Sequence, residues 1–296
     1  QEGRAAVVVR ARDGEVVARH PLEKPQGDIY AIPAAVDLSG DGKCDVAFLE
    51  WDSKQVRAVD GVTGKTLWLY PTGHFNMGGL GVGELDAVKG PDLIAPSTDG
   101  FVHAIRGKDG VSLWKTQVGG SRSPPTLCDL NGDGTPDVLL ISCEGKLWVL
   151  DGRTGAALWN EAKGGEAFGR PAVCTVEGTG KVIVAPFGPS GVGAFSWPAK
   201  ALLWQGPKGK GVTASPVVAD IDADGLIEVV VATTGGEILV LDAAKGTPLW
   251  TWKLAEAVIE ADPAVADLDG DGLLDIVVAS QSRTLTAIRG RRSDRR

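Results

Sequence analysis

Pro263–Val278 reads PAVADLDGDGLLDIVV: four carboxylates within nine residues, Asp267, Asp269, Asp271 and Asp275, set between two apolar runs. Carboxylates this close repel one another unless a positive charge sits among them. The arrangement returns as AAVDLSGDGKCDVAFL from Ala34, PTLCDLNGDGTPDVLL from Pro125 and PVVADIDADGLIEVVV from Pro216. The first acids of the four copies, Asp37, Asp129, Asp220 and Asp267, lie 92, 91 and 47 residues apart. Two weaker copies fill the wide gaps: LGVGELDAVKGPDLIAP places Glu84, and RPAVCTVEGTGKVIVAP places Thr175, midway between their neighbours. Six units therefore recur at about 46 residues, a period that signals a repeat architecture before any single element is assigned.

A second, independent signal keeps the same period. Trp68, Trp114, Trp159, Trp204 and Trp250 each end a strand-like run and lie 46, 45, 45 and 46 residues apart. Within a unit an apolar run enters the acidic loop, a β-branched run such as DIVVAS or EVVVAT leaves it, and runs such as GEILVLD and TPLW follow. Short Val/Ile/Leu-rich runs bounded by Gly, Asp and Pro are strand signals, and four strands in a unit of about 40–50 residues is the pattern of a propeller blade. The expected fold class is all-β: a single β-propeller over residues 1–290, of six blades within a range of five to seven, each of four antiparallel strands. VVVRARDGEVVARHPL near the N-terminus aligns with VRAVDGVTGKTLWLYP. N-terminal strands are therefore expected to complete the C-terminal blade and close the ring, which removes exposed sheet edges. Ala5–Arg10 and Arg283–Arg289 both read as third strands, so one is expected to be an extra outer strand. Residues 291–296, with four Arg, read as a basic, solvated, disordered tail.

With Asp267 as position 1, side-chain oxygens fall at positions 1, 3, 5 and 9 and glycine at 6. Alternate residues of a tight loop can turn their oxygens to one centre, and glycine permits a turn that a Cβ would block. Oxygen-only, charged donors select a hard cation, and a flexible cage of about six or seven ligands favours Ca2+ over Mg2+, with position 7 adding its backbone carbonyl. The expected ligands are Asp37, Ser39, Asp41, the Lys43 carbonyl and Asp45 in loop one, and Asp129, Asn131, Asp133, the Thr135 carbonyl and Asp137 in loop three. Loop five offers Asp220, Asp222, Asp224, the Leu226 carbonyl and Glu228, and loop six Asp267, Asp269, Asp271, the Leu273 carbonyl and Asp275. Loop two keeps Glu84, Asp86 and Asp92 but has Val88 at position 5, and the shorter loop four has Thr175, Glu177 and Thr179; neither should bind well. An EF-hand fits less well, since it needs Glu at position 12 and flanking helices. Four Ca2+ would offset the formal charge of −8. With all ligands in one short loop, each ion would staple a hairpin and lend folding energy, with no catalytic role.

These loops resemble the calcium-binding FG-GAP/VCBS repeats of integrin-α-like β-propellers. AVDGVTGKTLW (Ala58–Trp68) resembles the AxDxxTGKxxW docking motif of quinoprotein-like propellers; VLDGRTGAALW is close to it, VLDAAKGTPLW less so, and AFSWPAKALLW keeps little beyond the tryptophan. The resemblance implies that each tryptophan stacks on the peptide of the next motif's glycine, so that Trp68, Trp114, Trp159, Trp204 and Trp250 form a girdle between blades. A quinoprotein dehydrogenase would imply eight larger blades and a pocket with a vicinal disulfide, and the chain has neither the length nor adjacent cysteines. A Ca2+-dependent polysaccharide lyase would need a base and charge-neutralising Arg or Lys in a cleft. Propellers host many functions, so fold alone does not name one.

Composition narrows the partners. The negative balance argues against nucleic acid, whose phosphates call for a basic face. No apolar run reaches the roughly 18 residues of a membrane span, and no signal peptide is visible at the start. Cys44, Cys128, Cys143 and Cys174 show no metal spacing and read as mostly buried free thiols. His20, His74 and His103 form no catalytic pair with Cys or Ser, and no GxSxG or HExxH occurs. Catalytic residues are therefore not assigned. The expectation is a non-catalytic, Ca2+-stabilised binding module for a protein or glycan, extracellular or periplasmic and monomeric by default, with a carbohydrate-active lyase or a purely structural scaffold as alternatives. A ligand would meet the loops opposite the acidic ones, Pro71–Gly79, Gly119–Pro125 and Lys163–Pro171. Phe75, Phe168, Arg122 and Arg170 are the natural contacts there, unless the two Phe plug the channel.

Overall fold

The structure is a computed structural model that describes residues 5–9, 13–21, 32–51, 53–74, 78–207, 209–254 and 259–292. Phe75 and the tail beyond residue 292 lie outside the described residues, as do the side chain of His20 and its neighbours. The chain divides into two compact units, residues 1–143 with 148–158, and residues 144–147 with 159–296.

Every element described is a strand. In the first unit β1 (Ala5–Val9) pairs antiparallel with β2 (Val16–Pro21). A four-stranded sheet follows in chain order, β3 (Ala34–Val36), β4 (Asp45–Glu50), β5 (Gln55–Val59) and β6 (Thr66–Pro71). The next runs β7 (Gly81–Gly83), β8 (Asp92–Pro96), β9 (Phe101–Ile105) and β10 (Ser112–Gln117). A third, with β13 and β14 divided between the two units, runs β11 (Thr126–Cys128), β12 (Asp137–Ile141), β13 (Lys146–Leu150) and β14 (Ala157–Ala162). The second unit holds β15 (Ala172–Val176), β16 (Gly180–Pro186), β17 (Val192–Trp197) and β18 (Leu202–Gly206), then β19 (Val217–Ala219), β20 (Glu228–Ala232), β21 (Glu237–Asp242) and β22 (Pro248–Lys253). The last sheet has three strands, β23 (Ala264–Ala266), β24 (Asp275–Ala279) and β25 (Leu285–Ile288). The expected all-β blades are thus present as six sheets in the expected phase, five of them with four strands. Among the described residues β1 and β2 pair only with each other.

Burial follows position in the sheet. The second strands β8, β12 and β20 are buried at every residue, as expected of Val/Ile/Leu runs covered on both faces. The fourth strands β6 and β10 alternate exposed and sheltered residues, with the tryptophan as the buried one. Each core cluster draws on two consecutive sheets: Leu49, Val56 and Trp68 pack with Leu93 and Ile105, and Val184, Val192 and Trp204 pack with Val229 and Leu239. A fully buried aliphatic side chain of this kind contributes about 1.5–3 kcal/mol.

The tryptophans reach the following sheet in a repeated way. The indole Nε1 of Trp68 donates to the Gly107 carbonyl at 2.7 Å, that of Trp114 to Gly152 at 2.8 Å and that of Trp204 to Ala243 at 2.8 Å. Each ring also lies against the glycine of the next turn. A Cβ at Gly110 would come within 2.8 Å of Trp68, at Gly155 within 2.6 Å of Trp114, and at Gly246 within 2.4 Å of Trp204. Those glycines have φ of +73°, +72° and +69°, so conformation and space both exclude a side chain. Trp159 differs: it meets Phe195 edge-on, centroids 5.2 Å apart, and the corresponding turn carries Lys200 at φ 58° in place of glycine.

Gly110→Ala adds a left-handed non-glycine residue and a methyl group against the Trp68 indole. A loss of about 2–4 kcal/mol is expected in equilibrium urea unfolding. Lys108→Ala, exposed in the same turn, should change stability by less than about 0.5 kcal/mol.

Candidate functional site

The acidic loops join the first strand of a sheet to the second, and in each the position-1 carboxylate is wrapped by main-chain N–H groups. Asp37 accepts from Gly40, Asp41 and Gly42 at 2.7–3.1 Å. Asp129 accepts from Gly132 and Gly134, Asp220 from Asp224 and Gly225, and Asp267 from Gly270, Asp271 and Gly272. The position-5 carboxylates of Asp41, Asp133, Asp224 and Asp271 accept from the amides of Lys43, Thr135, Leu226 and Leu273 at 2.8–2.9 Å. Four sequences thus fold into one loop, because alternate acids each satisfy the amides one turn ahead.

Position 9 has a second function that the motif alone does not disclose. Asp45 accepts from Leu38 and Ser39 through one oxygen and from Gly61, beyond the third strand, through the other. Asp92 does the same with Leu85 and Asp86 on one side and Gly107 on the other, and Asp275 with Leu268 and Gly290. Asp45, Asp92, Asp137, Glu228 and Asp275 are all buried. Burial pushes the carboxyl groups of Asp92 and Asp137 up, while the Gly290 and Leu268 amides hold Asp275 below the ordinary carboxylate range. Asp92 keeps this arrangement in loop two, where position 5 is Val88, so the bridge does not depend on a complete metal-ligand set.

The donors fit a hard cation. Asp220, Asp222 and Glu228 bring carboxylate oxygens within 4.8 Å of one another, as do Asp267, Asp269 and Asp271. In loop one the Ser39 hydroxyl, at the expected position 3, is a buried oxygen without a hydrogen-bond partner among the described residues. A buried oxygen left without a partner beside carboxylates fits the chemistry of a cation ligand. In loop three Asn131 takes that position; its amide nitrogen lies 3.4 Å from both Asp133 and Asp137.

Other expected contacts are placed differently. The loop holding Phe168 is pinned by amide bonds from Phe168 and Gly169 to the Thr213 carbonyl and from Arg170 to the Ser215 hydroxyl. Phe168 is nevertheless 47 % exposed. Cys44 is exposed and Cys128, Cys143 and Cys174 are half-buried, so the expectation of mostly buried thiols fails at Cys44, which lies in the exposed part of loop one. Burial pushes the Cys174 thiol up to about 11.

Two features escaped the sequence reading. His103 is buried, with its ring nitrogens 3.2 Å from Asp99 and from the Tyr70 hydroxyl, and Lys115 lies 3.4 Å from the same Asp99 carboxylate. Burial lowers the affinity of this imidazole for a proton. Only the spacing of Asp99 and His103, four apart, could have flagged the pair. A cleft of about 340 Å3 opens beside loop five, where the short turn of unit four leaves room; Thr175, Glu177, Leu226, Asp242 and Lys245 line it.

Residues 1–132 and 54–228 match the PQQ-like-repeat family described as "Outer membrane protein assembly factor BamB", and residues 220–278 match an FG-GAP-like repeat. The chain belongs to the first of these families. BamB from Moraxella catarrhalis shares the fold, with a TM-score of 0.69 and 15% identity over 93% of this chain and 74% of that one. The computationally designed Ika8 protein gives 0.65 and 17% over 93% and 74%, and a europium-containing methanol dehydrogenase 0.64 and 15% over 92% and 69%. No curated protein matches the sequence. Among the described residues no helix is long and apolar enough to cross a membrane.

Asp92→Asn places an amide donor against one of the N–H groups that the carboxylate serves. A loss of about 1–3 kcal/mol is expected, equal in calcium and in EGTA when followed by urea unfolding, because loop two lacks the position-5 acid.

Proposed function

We propose that the chain is a non-catalytic interaction module of the cell envelope or extracellular space that binds a protein partner and is stabilised by Ca2+ in its acidic loops. The observation that carries the reading is the family match over residues 1–228, since that family is described by its part in outer membrane protein assembly. A β-propeller suits the task because rigid sheets hold its connecting loops in place while leaving them free to vary. The exposed Phe168 on a pinned loop is the kind of aromatic anchor that interfaces use. The indoles of Trp68, Trp114 and Trp204 serve as docking girders between successive sheets, so that binding at one loop meets a stiff frame.

Calcium would be held by Asp37, Ser39, Asp41 and Asp45; by Asp129, Asn131, Asp133 and Asp137; by Asp220, Asp222, Asp224 and Glu228; and by Asp267, Asp269, Asp271 and Asp275. The carbonyls of Lys43, Thr135, Leu226 and Leu273 complete the four sets. Such an ion supplies positive charge and folding energy, and millimolar extracellular calcium matches loops of modest affinity.

Thermal unfolding tests the metal. Free Ca2+ at about a hundred times its Kd adds about 2.7 kcal/mol per site, so the midpoint should rise by several degrees over that in EGTA; an unchanged midpoint overturns the calcium reading. The partner is tested by photocrosslinking residues placed at Phe168 and Arg122 in intact cells. A discrete adduct with an envelope protein that also binds the purified chain is expected. Saturable binding on a glycan array without such an adduct, or release of unsaturated sugars from a polysaccharide, would replace the protein partner with a carbohydrate.

A further inference from the structure

The residue at the C-terminal end of the third strand occupies one register in five of the six units, and its charge changes sign. Asp60, Asp151 and Asp242 hold it in units one, three and five, and Arg106 and Arg289 in units two and six. The aspartates turn back onto their own turns: Asp60 accepts from Val62 and Thr63, Asp151 from Thr154, and Asp242 from Ala244 and Lys245. The arginines reach to the acidic loop, Arg106 while also meeting Asp109 of its own turn at 3.5 Å. Arg106 Nε lies 2.8 Å from Asp86 at position 3 of loop two. Arg289 Nη2 lies 2.8 Å from Asp269 and 3.2 Å from Asp271, positions 3 and 5 of loop six.

We propose that Arg289 is a built-in counter-cation of loop six that calcium must displace, and that Arg106 plays the same part permanently in loop two. The proposal rests on the calcium reading above and divides its sites into two classes. Loops one, three and five have no guanidinium in that register. An aspartate stands there instead, so those loops carry excess negative charge for an ion to neutralise. Loop six has the full set of acids but is already partly neutralised by its own chain.

The two arginines differ in how easily they leave. Arg289 is 70 % exposed, and the acids it meets are 40 % and 30 % exposed. Exposed pairs of this kind are weak and screened, so a divalent ion that gathers all the loop's oxygens displaces the side chain while Gly290 stays bonded to Asp275. Arg106 and Asp86 are more sheltered, at 26 % and 20 %. Loop two moreover lacks the position-5 acid, so nothing there competes with the guanidinium. Calcium binding at loop six is therefore a swap of one cation for another, weaker and more sensitive to salt than at the other three loops.

The position-6 glycines report each loop separately. Titrating calcium into the isotope-labelled chain, the amide resonances of Gly42, Gly134 and Gly225 should move at lower calcium than that of Gly272. In Arg289→Ala the Gly272 midpoint should fall by about two- to tenfold, the other three staying in place, and Arg289→Lys should lie between. Without calcium Arg289→Ala lowers the thermal midpoint and calcium restores it, whereas the loss caused by Arg106→Ala is not restored. If no glycine responds, the calcium reading itself fails. If the first three respond while Gly272 is silent, or moves identically in wild type and Arg289→Ala, the counter-cation is overturned and the calcium reading stands.

Discussion

Taking a carboxylate out of water costs several kcal/mol unless donors replace the lost solvation, yet five of the six sheets bury one at the start of the second strand. Asp45, Asp92 and Asp275 show how the cost is offset: main-chain N–H groups from the loop before the strand bond one oxygen, and the glycine after the third strand bonds the other. The bridge ties together segments that are 15 or 16 residues apart. It also dictates neighbouring sequence. A Cβ at Gly61, Gly107 or Gly152 would fall about 2 Å from the carbonyl oxygen of Cys44, Pro91 or Pro136, so the receiving strand end must carry a glycine for the carboxylate to reach its N–H. The repeated DG, RG and DG dipeptides are a consequence of that approach.

The tryptophan contacts extend the same logic from one sheet to the next. The carbonyls of Gly107 and Gly152 receive the indole N–H of the preceding sheet, while the N–H of Gly107 serves Asp92. One residue therefore carries both the bond that closes its own sheet and the bond that fixes its neighbour. This coupling is why two sequence signals with no residue in common keep one period. A shift of either would break a hydrogen bond inside the core, where an unmade bond costs about 1–3 kcal/mol.

That shared period made most of the fold legible. Strand order, the phase of the sheets and the form of the loops follow from alternating acids, glycine at position 6 and the spaced tryptophans, all of them local patterns. The candidate site was legible in part. Sequence marked Asp45 and Asp275 as ligands by spacing, but their bonds to Gly61 and Gly290 join residues about fifteen positions apart and have no local signature. The turning of Arg106 and Arg289 toward the loop is equally hidden, since an arginine in place of the motif aspartate reads as simple decay of the repeat. His103 escaped because its partner Tyr70 lies 33 residues away.

Decay of the repeat has its own physical content in unit four. There the acidic loop has shrunk to a tight turn closed by the Thr179 amide on the Val176 carbonyl, and among the described residues no carboxylate bridges loop and strand. Core compensates for the missing bridge: β17 is buried at all six residues, and Phe187 and Phe195 pack edge to face at 6.2 Å. Trp159 turns to Phe195 where Trp68, Trp114 and Trp204 meet a glycine, and Lys200 stands in that glycine's place. Shortening the loop also empties the space beside loop five in which the 340 Å3 cleft lies. Unit four has exchanged a polar, charge-bearing closure for an apolar one, next to an intact acidic loop. Divergence there follows from the constraint that governs the other units: once the buried carboxylate is gone, only additional apolar burial can hold the strands in register.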